Sequence, residues 1–394
     1  MRHFIRYIYF FIIATLLFSC KDSTSDEQPP VIDAKRTILV YMVASNDLGA
    51  RGYDSQDLLE MEHAIASNGT NGCRVLVFHV TNSEMPVLFE FKKMNNGKVK
   101  RTVLNNYDKS LPATSVERMS GVFDDMVRLA PAKEYGLILW SHASGWAVNL
   151  PRQKMMNKAI KREFLVRNYG MDGKHEMKLD ELEKALPANL FDFIYADVCY
   201  MGSVEVAYQL RNKIKYLIAS PTVILGEGMP YHLNLPELCA DHPDLVQVCR
   251  NTFDYYNSKS GQMKSCTISL TDCTKLEPLA TVCNEIFKTT TEINDISAIQ
   301  NYIVPSDGIC IFFDFRQYMA ERLKQSPDYN LVSELDRCLS DAVVYKNATN
   351  EIFSELKIDK NNYSGLSVYI ENTGGNDNDE YYRTTDWYQA TRKN

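Results

Sequence analysis

The stretch DFIYADVCYMGSVEVAYQL, residues 192–210, decides the fold. Phe191, Phe193, Ile194, Tyr195 and Ala196 form a short, nearly continuous apolar run, the pattern of a strand buried on both faces and paired in parallel. After Gly202 the period changes. Val204, Ala207 and Leu210 recur at helical spacing, with Glu205 and Gln209 between them. Cys199 therefore falls between a strand and a helix, where unpaired backbone N–H groups and the positive end of a helix dipole favour a thiolate. A free cysteine is otherwise most often a core residue. The reading of Cys199 turns on whether a base stands beside it.

The chain around this stretch alternates between strand and helix patterns. Strands are expected at Arg36–Ala44, Cys73–Val80, Tyr135–Ser141 and Lys215–Pro221, and a hairpin turning at Asn96-Gly97. Helices are expected near Ser55–Ala66, at Ser115–Leu129 with Thr114 or Ser115 as cap, and in LDELEKAL. The C-terminal part continues in the same way with CTISLTD, LEPLATVCNEIF, GICIFFDF and GLSVYIE. Such alternation predicts an α/β fold, a parallel or mixed sheet with helices on both faces. Active sites of open sheets of this kind lie at the carboxyl ends of the strands. Two strands end in residues suited to chemistry: GLILWSHASGW in His142 and FIYADVC in Cys199. Of the seven histidines only His142 has this setting; His79, inside a strand, reads as structural. If the two strands are neighbours, an imidazole and a thiol meet at one sheet edge, the arrangement needed for acyl transfer.

The ends and the composition bound the rest. In MRHFIRYIYFFIIATLLFSC, Arg2 and Arg6 precede an apolar run from Tyr7 to Phe18, which marks residues 1–19 as a secretory signal. The ending LFSC resembles the lipobox of bacterial lipoproteins, which implies lipidation of Cys20. The polar, acidic residues 20–35 read as a flexible tether, and their charged start resembles the surface-export signals of Bacteroidetes lipoproteins. The expected location is the outer membrane or cell surface, reached through a lipid anchor. Loss of residues 1–19 takes the formal charge from −7 to −9, because it removes two arginines and no acid. An acidic chain without a basic run is a poor nucleic-acid binder. Nine cysteines remain after Cys20, an odd number, so at least one is expected to be free or intermolecular. Cys249, Cys283, Cys310 and Cys338 read as core residues. The absence of CxxC, HExxH and P-loop patterns argues against structural zinc and nucleotide phosphate.

WSHASGW together with DVCYMGSVEVAYQL resembles the motif pair of clostripain-like cysteine peptidases, H-G-S-G-W and D-A-C-L-M-G-x-x-E. ILVYMVASNDL, ISLTDCTKLEPLA and GLSVYI resemble the same family, so the likeness runs from Arg36 to the C-terminus. It implies a caspase-like α/β/α sandwich with a mostly parallel central sheet over residues 36–394. It also implies a cysteine endopeptidase cleaving after Arg or Lys through a thioester acyl-enzyme, with Cys199 as nucleophile and His142 as base. The oxyanion hole would be the N–H groups of Ala143 and Cys199. Ala143 stands where the family has glycine, which is costly only if that residue needs a positive φ. Asp197, two residues before Cys199 and on the same strand face, and Glu227, in the glycine-flanked LGEGMPY, are the acids expected to read a basic side chain.

The family matures by cleavage between its His and Cys motifs. Residues 147–178 offer Arg152, Lys154, Lys158, Lys161, Arg162 and Arg167 in a polar stretch suited to nicking. Clostripain itself depends on calcium, so calcium is a possible cofactor. NTGGNDNDE, residues 372–380, has oxygen ligands but no EF-hand spacing, and reads as a plain loop. The expected partners are protein or peptide substrates and a membrane. Two other readings are an inactive caspase-fold surface lipoprotein that binds peptides or a partner, and a Cys–His transpeptidase or caspase-like enzyme with another preference at the residue before the cut. The first should have lost His142 or Cys199, and the second should lack an acid in the loop that holds Glu227.

Overall fold

The core of the molecule is one nine-stranded sheet. The computed structural model describes residues 34–148, 168–293, 295–307 and 310–392. In chain order the strands are β1 (Ala34–Ala44), β2 (Cys73–Thr81), β3 (Val87–Lys93), β4 (Val99–Asn106), β5 (Ala132–Trp140), β6 (Phe191–Asp197), β7 (Ile214–Ala219), β8 (Thr267–Asp272) and β9 (Val343–Ala348). Across the sheet they run β9-β8-β7-β6-β5-β1-β2-β3-β4. The five central strands, β7 to β2, are parallel. An antiparallel pair closes each edge. The parallel strands are apolar almost throughout because helices cover both faces. Along β1, Leu39, Tyr41 and Val43 enter one core cluster, while Ile38, Val40, Met42 and Ala44 enter the other, the two-residue alternation of a pleated strand.

On the second face lie helices Tyr53–Asn68, Tyr231–Leu238 and Leu245–Asn257, which bury Leu58, Met61, Leu235, Leu238 and Val248. On the first lie Val116–Leu129, Leu179–Ala185, Val204–Leu210 and Leu276–Thr289. Ser115 caps its helix by accepting from the Arg118 N–H at 3.2 Å. The β3–β4 hairpin turns at Gly97, whose φ of 80° suits a glycine. The described residues belong to one compact unit, and among them no helix is long and apolar enough to cross a membrane.

Two expectations need correction. GICIFFDF and GLSVYIE do not extend the central sheet. Only Phe312–Asp314 and Ser367–Tyr369 are extended, and they pair with each other. This small ribbon docks on the turn after Cys199 instead: the Ser367 N–H donates to Gly202 O at 2.9 Å, and the Tyr369 N–H to Glu205 Oε1 at 2.8 Å. Cys310 is exposed rather than a core residue, whereas Cys249, Cys283 and Cys338 are buried as expected, and all three are free thiols.

Candidate active site

β1, β5 and β6 are adjacent and in register, Met42 opposite Trp140 and Trp140 opposite Asp197. Their carboxyl ends therefore sit side by side, and each continues into a polar residue: Asp47, His142 and Cys199. All three line one cavity of about 280 Å³, together with Ala143, Asp197 and Glu227. The strand neighbourhood inferred for His142 and Cys199 is thus present. Asp47 was not inferred.

His142 Nε2 lies 2.6 Å from Asp47 Oδ1. The hydrogen bond to His142 holds the Asp47 carboxyl below its usual range, with Arg51 adding in the same direction at 3.6 Å. The short helix Asp47–Ala50 places Asp47, and Asn46 caps it by accepting from the Leu48 N–H at 3.0 Å. Asn46 Nδ2 also donates to Val43 O at 2.9 Å, Ser141 Oγ at 3.2 Å and Met171 O at 3.0 Å. One side chain therefore ties the ends of β1 and β5 to the ribbon of Tyr169–Asp172 and His175–Met177.

After β6 the chain turns sharply. Tyr200 has a φ of 60°, a conformation that costs a non-glycine residue roughly 1–3 kcal/mol unless its surroundings hold it there. They do: the Tyr200 N–H donates to Thr222 O at 3.0 Å and its hydroxyl to Asp307 Oδ2 at 2.7 Å. Gly145, from the His142 loop, approaches this turn so closely that a Cβ there would meet Tyr200 O at 2.6 Å, and its φ is 67°. The two motif loops are packed backbone to backbone.

The surroundings of Cys199 favour a thiolate less than its place between strand and helix suggests. Burial pushes the thiol up to about 12, against the pull of the Ile224 N–H, which donates to Sγ at 3.4 Å. The helix dipole does not rescue it, because helix Val204–Leu210 begins beyond the turn and Ser203 caps it by accepting from the Val206 N–H at 3.2 Å. A protonated thiol gives up its proton only when a base takes it.

Ala143 has no positive φ, so alanine for glycine costs nothing in backbone strain. It forms an isolated antiparallel bridge with Tyr169, in which the Gly170 N–H bonds to His142 O at 2.9 Å and the Ser144 N–H to Asn168 O at 3.1 Å. That pattern uses the neighbours' groups and leaves the Ala143 N–H outside the ladder.

Asp197 is buried at the cavity floor. Its Oδ1 accepts from the Met229 N–H at 3.1 Å and its Oδ2 from the Tyr231 hydroxyl at 2.7 Å. Burial raises it to about 6 despite those donors. It thus serves as the anchor of the Leu225–Met229 loop as well as a wall of the cavity. Glu227, on the same loop, lines the cavity and is partly exposed. Behind Asp197 stands a second buried acid, Asp57, not inferred from the sequence; its Oδ2 accepts from Trp140 Nε1 at 2.6 Å.

The described residues contain no cluster of His, Cys, Asp or Glu suited to a metal. In residues 372–380 a helix starts at Asn376, and Asp379 Oδ1 accepts from the Tyr369 hydroxyl at 2.7 Å and the Asn372 N–H at 2.9 Å. That carboxylate braces the small ribbon, and residues Asn376–Tyr382 are helical where a plain loop was expected. Cys20 and the basic residues Arg152, Lys154, Lys158, Lys161, Arg162 and Arg167 lie outside the described residues.

A sheet of this topology, with a histidine and a cysteine at adjacent strand ends over one cavity, defines a cysteine peptidase of caspase-like architecture. The chain belongs to the clostripain family, whose model matches residues 40–385. An inactive zymogen of a C11 protease from Parabacteroides distasonis is 28% identical, with 92% of this chain and 99% of that one covered at a TM-score of 0.77. A secreted C11 cysteine protease from Bacteroides thetaiotaomicron, solved with an irreversible peptide inhibitor, is 28% identical over 91% of this chain and 99% of its own, with a TM-score of 0.75. A further structure of a secreted C11 cysteine protease from that organism, iotapain, is 26% identical over 92% of this chain and 100% of its own, with a TM-score of 0.77. No curated protein matches the chain.

Proposed function

We propose that this cysteine peptidase is an endopeptidase that cleaves after Arg or Lys, with Cys199 as nucleophile and His142 as general base. The observation that carries the reading is the shared cavity: His142, Cys199 and the buried acid Asp197 open onto one space. In the reaction His142 takes the proton of the Cys199 thiol as sulfur attacks the scissile carbonyl. The resulting oxyanion is received by the N–H groups of Ala143 and Cys199, and the amine leaves with the proton from His142. Asp47 fixes the ring through Nε2 and stabilises the imidazolium that forms. Water then cleaves the thioester. A guanidinium or ammonium entering the cavity loses hydration and regains a counter-charge at Asp197, with Glu227 contributing from the rim.

Maturation by self-cleavage between residues 147 and 178 belongs to the same reading. The Ser144–Asn168 and His142–Gly170 bonds would keep the two fragments joined beside His142 after a cut. Lipidation at Cys20 would place the enzyme on a membrane surface; substitution of Cys20 by Ser should then release it from the membrane fraction.

The test is a fluorogenic panel with Arg, Lys, Asp, Asn and Ala before the scissile bond, run on the purified chain and on Cys199→Ala. Cleavage of the Arg and Lys substrates by the wild type alone is expected, accompanied by two associated fragments. Preference for Asp, Asn or Ala would overturn the specificity, and turnover by Cys199→Ala would overturn the chemistry.

A further inference from the structure

The helix Tyr53–Asn68 carries four acids; Glu62 pairs with Arg101 at 2.6 Å, and the fold treats the other three differently. Asp54 Oδ2 has His79 Nε2 at 2.8 Å, and Glu60 Oε2 has His232 Nδ1 at 3.0 Å. Asp57, between them in sequence, has the neutral Trp140 indole, and it faces a second acid, Asp197. A Cβ on Gly228 would lie 2.8 Å from Asp197 Oδ2 and 3.2 Å from Asp57 Oδ2, so the two carboxyl groups flank one point under the backbone of that loop. The Gly228 φ of 65° and this crowding both require glycine. The other groups around the pair are also neutral or acidic. They are the Tyr231 hydroxyl on Asp197 from helix Tyr231–Leu238, the Tyr256 hydroxyl on Gly228 O from helix Leu245–Asn257, Glu227 in the loop, and Asp54 and Glu60 on the helix itself.

Two buried carboxylates side by side cannot both ionise without a cation between them. Burial and the charge of Asp197 push Asp57 well above the ordinary range, and burial raises Asp197 as well. Asp197 accepts two hydrogen bonds, from the Met229 N–H and the Tyr231 hydroxyl, and Asp57 Oδ2 accepts one, from Trp140, so the donors favour charge on Asp197 and the proton on Asp57. We propose that Asp57 is a positioning residue for the cation subsite: it stays a neutral acid beneath Gly228, so that Asp197 alone carries the charge that meets a basic substrate side chain. A neutral carboxyl dipole beside Asp197 favours its ionisation, where an apolar neighbour would leave it drier and harder to ionise. Asp57 acts through Asp197 and not by touching substrate; its side chain is buried and lies behind the cavity wall.

This inference rests on the reading of the cavity as a site for Arg or Lys. It is tested by measuring kcat/KM for matched peptides with Arg or its uncharged near-isostere citrulline before the scissile bond, from pH 5 to 9. The proteins are wild type, Asp57→Asn, Asp57→Leu and Asp197→Asn. In wild type the Arg-to-citrulline ratio should fall as pH drops through about 6, where Asp197 loses its charge. Asp57→Asn, which imitates the neutral acid, should keep the ratio at pH 7.5 within about threefold and leave the midpoint in place. Asp57→Leu should move the midpoint up by roughly a unit, cutting the ratio about twofold at pH 7 and about fivefold at pH 6, with citrulline cleavage affected less. An Asp57→Asn loss as large as that of Asp197→Asn would mean that Asp57 is charged, and would overturn the proposal. So would an Asp57→Leu variant with unchanged ratio and midpoint, or one that loses both substrates equally. A wild type that does not discriminate Arg from citrulline would instead overturn the proposed specificity, whatever the Asp57 variants do.

Discussion

Asp47 and Asp197 line one cavity, and their surroundings treat the same functional group differently. Asp47 is substantially exposed, at 41% of its side chain, and its hydrogen bond to His142 keeps its carboxyl low. Asp197 is buried, is held by a tyrosine hydroxyl and a backbone N–H, and titrates near 6. The first is a permanent anion suited to steadying an imidazolium. The second is a buried acid raised toward the neutral range, which under the proposed specificity would gain its counter-charge from a basic substrate side chain. Solvent access decides the difference: hydrogen bonds from neutral donors lower a buried acid, but less than burial raises it.

The largest effects are expected at the proposed reacting pair, Cys199 and His142, which lines the same cavity. Cys199→Ala and His142→Ala should each lower kcat by roughly three or more orders of magnitude while the fold is retained, checked by turnover and circular dichroism. Asp197→Asn comes next. It removes the counter-charge for a basic side chain and weakens the hold on the Leu225–Met229 loop. The expected loss in kcat/KM for Arg substrates is about 2–4 kcal/mol, with a much smaller loss for a citrulline substrate. Equal losses for both substrates would make Asp197 a structural residue only.

On the other side, Asp47→Asn keeps a hydrogen-bonding side chain but loses the charge. It should lower kcat by roughly 10- to 100-fold and leave KM and the Arg-to-citrulline ratio nearly unchanged, in contrast to Asp197→Asn. A change in that ratio would erase the division of labour between the two acids. The smallest effect belongs to Glu227→Gln. This residue sits on the partly exposed rim, where water screens its charge, so the Arg preference should fall by no more than a few-fold.

Much of this was legible in the residues. The apolar runs before Ser141 and Val198 specify buried parallel strands, and the site lies where such strands end. The hairpin at Asn96-Gly97 and the cap at Ser115 followed from local chemistry alone. Asp47 was harder to see because an acid after a strand looks like any loop residue. Its signal was positional, a third strand end beside β5. Asp57 left a stronger trace: Asp54 and Asp57 fall on the same helical stripe as Leu58, Met61 and Ile65, the buried face, where an acid needs an explanation. The support expected for a thiolate at Cys199 is weaker in the structure for two reasons. The helix begins after Ser203 instead of at the cysteine, and burial outweighs the single N–H from Ile224. GICIFFDF and GLSVYIE misled because short apolar runs look alike whether they extend a sheet or brace a turn.

The most direct test of the central claim is covalent. Mature protein is incubated with peptide acyloxymethyl ketones that differ only in carrying Arg or Asp at the position before the reactive carbon. The modified residue is then located by peptide mass spectrometry. The account predicts one equivalent of the Arg reagent on Cys199, faster than the Asp reagent by at least about a hundredfold, and no adduct on Cys199→Ser. Labelling of another cysteine, such as the exposed Cys310, or equal rates for the two reagents would contradict it.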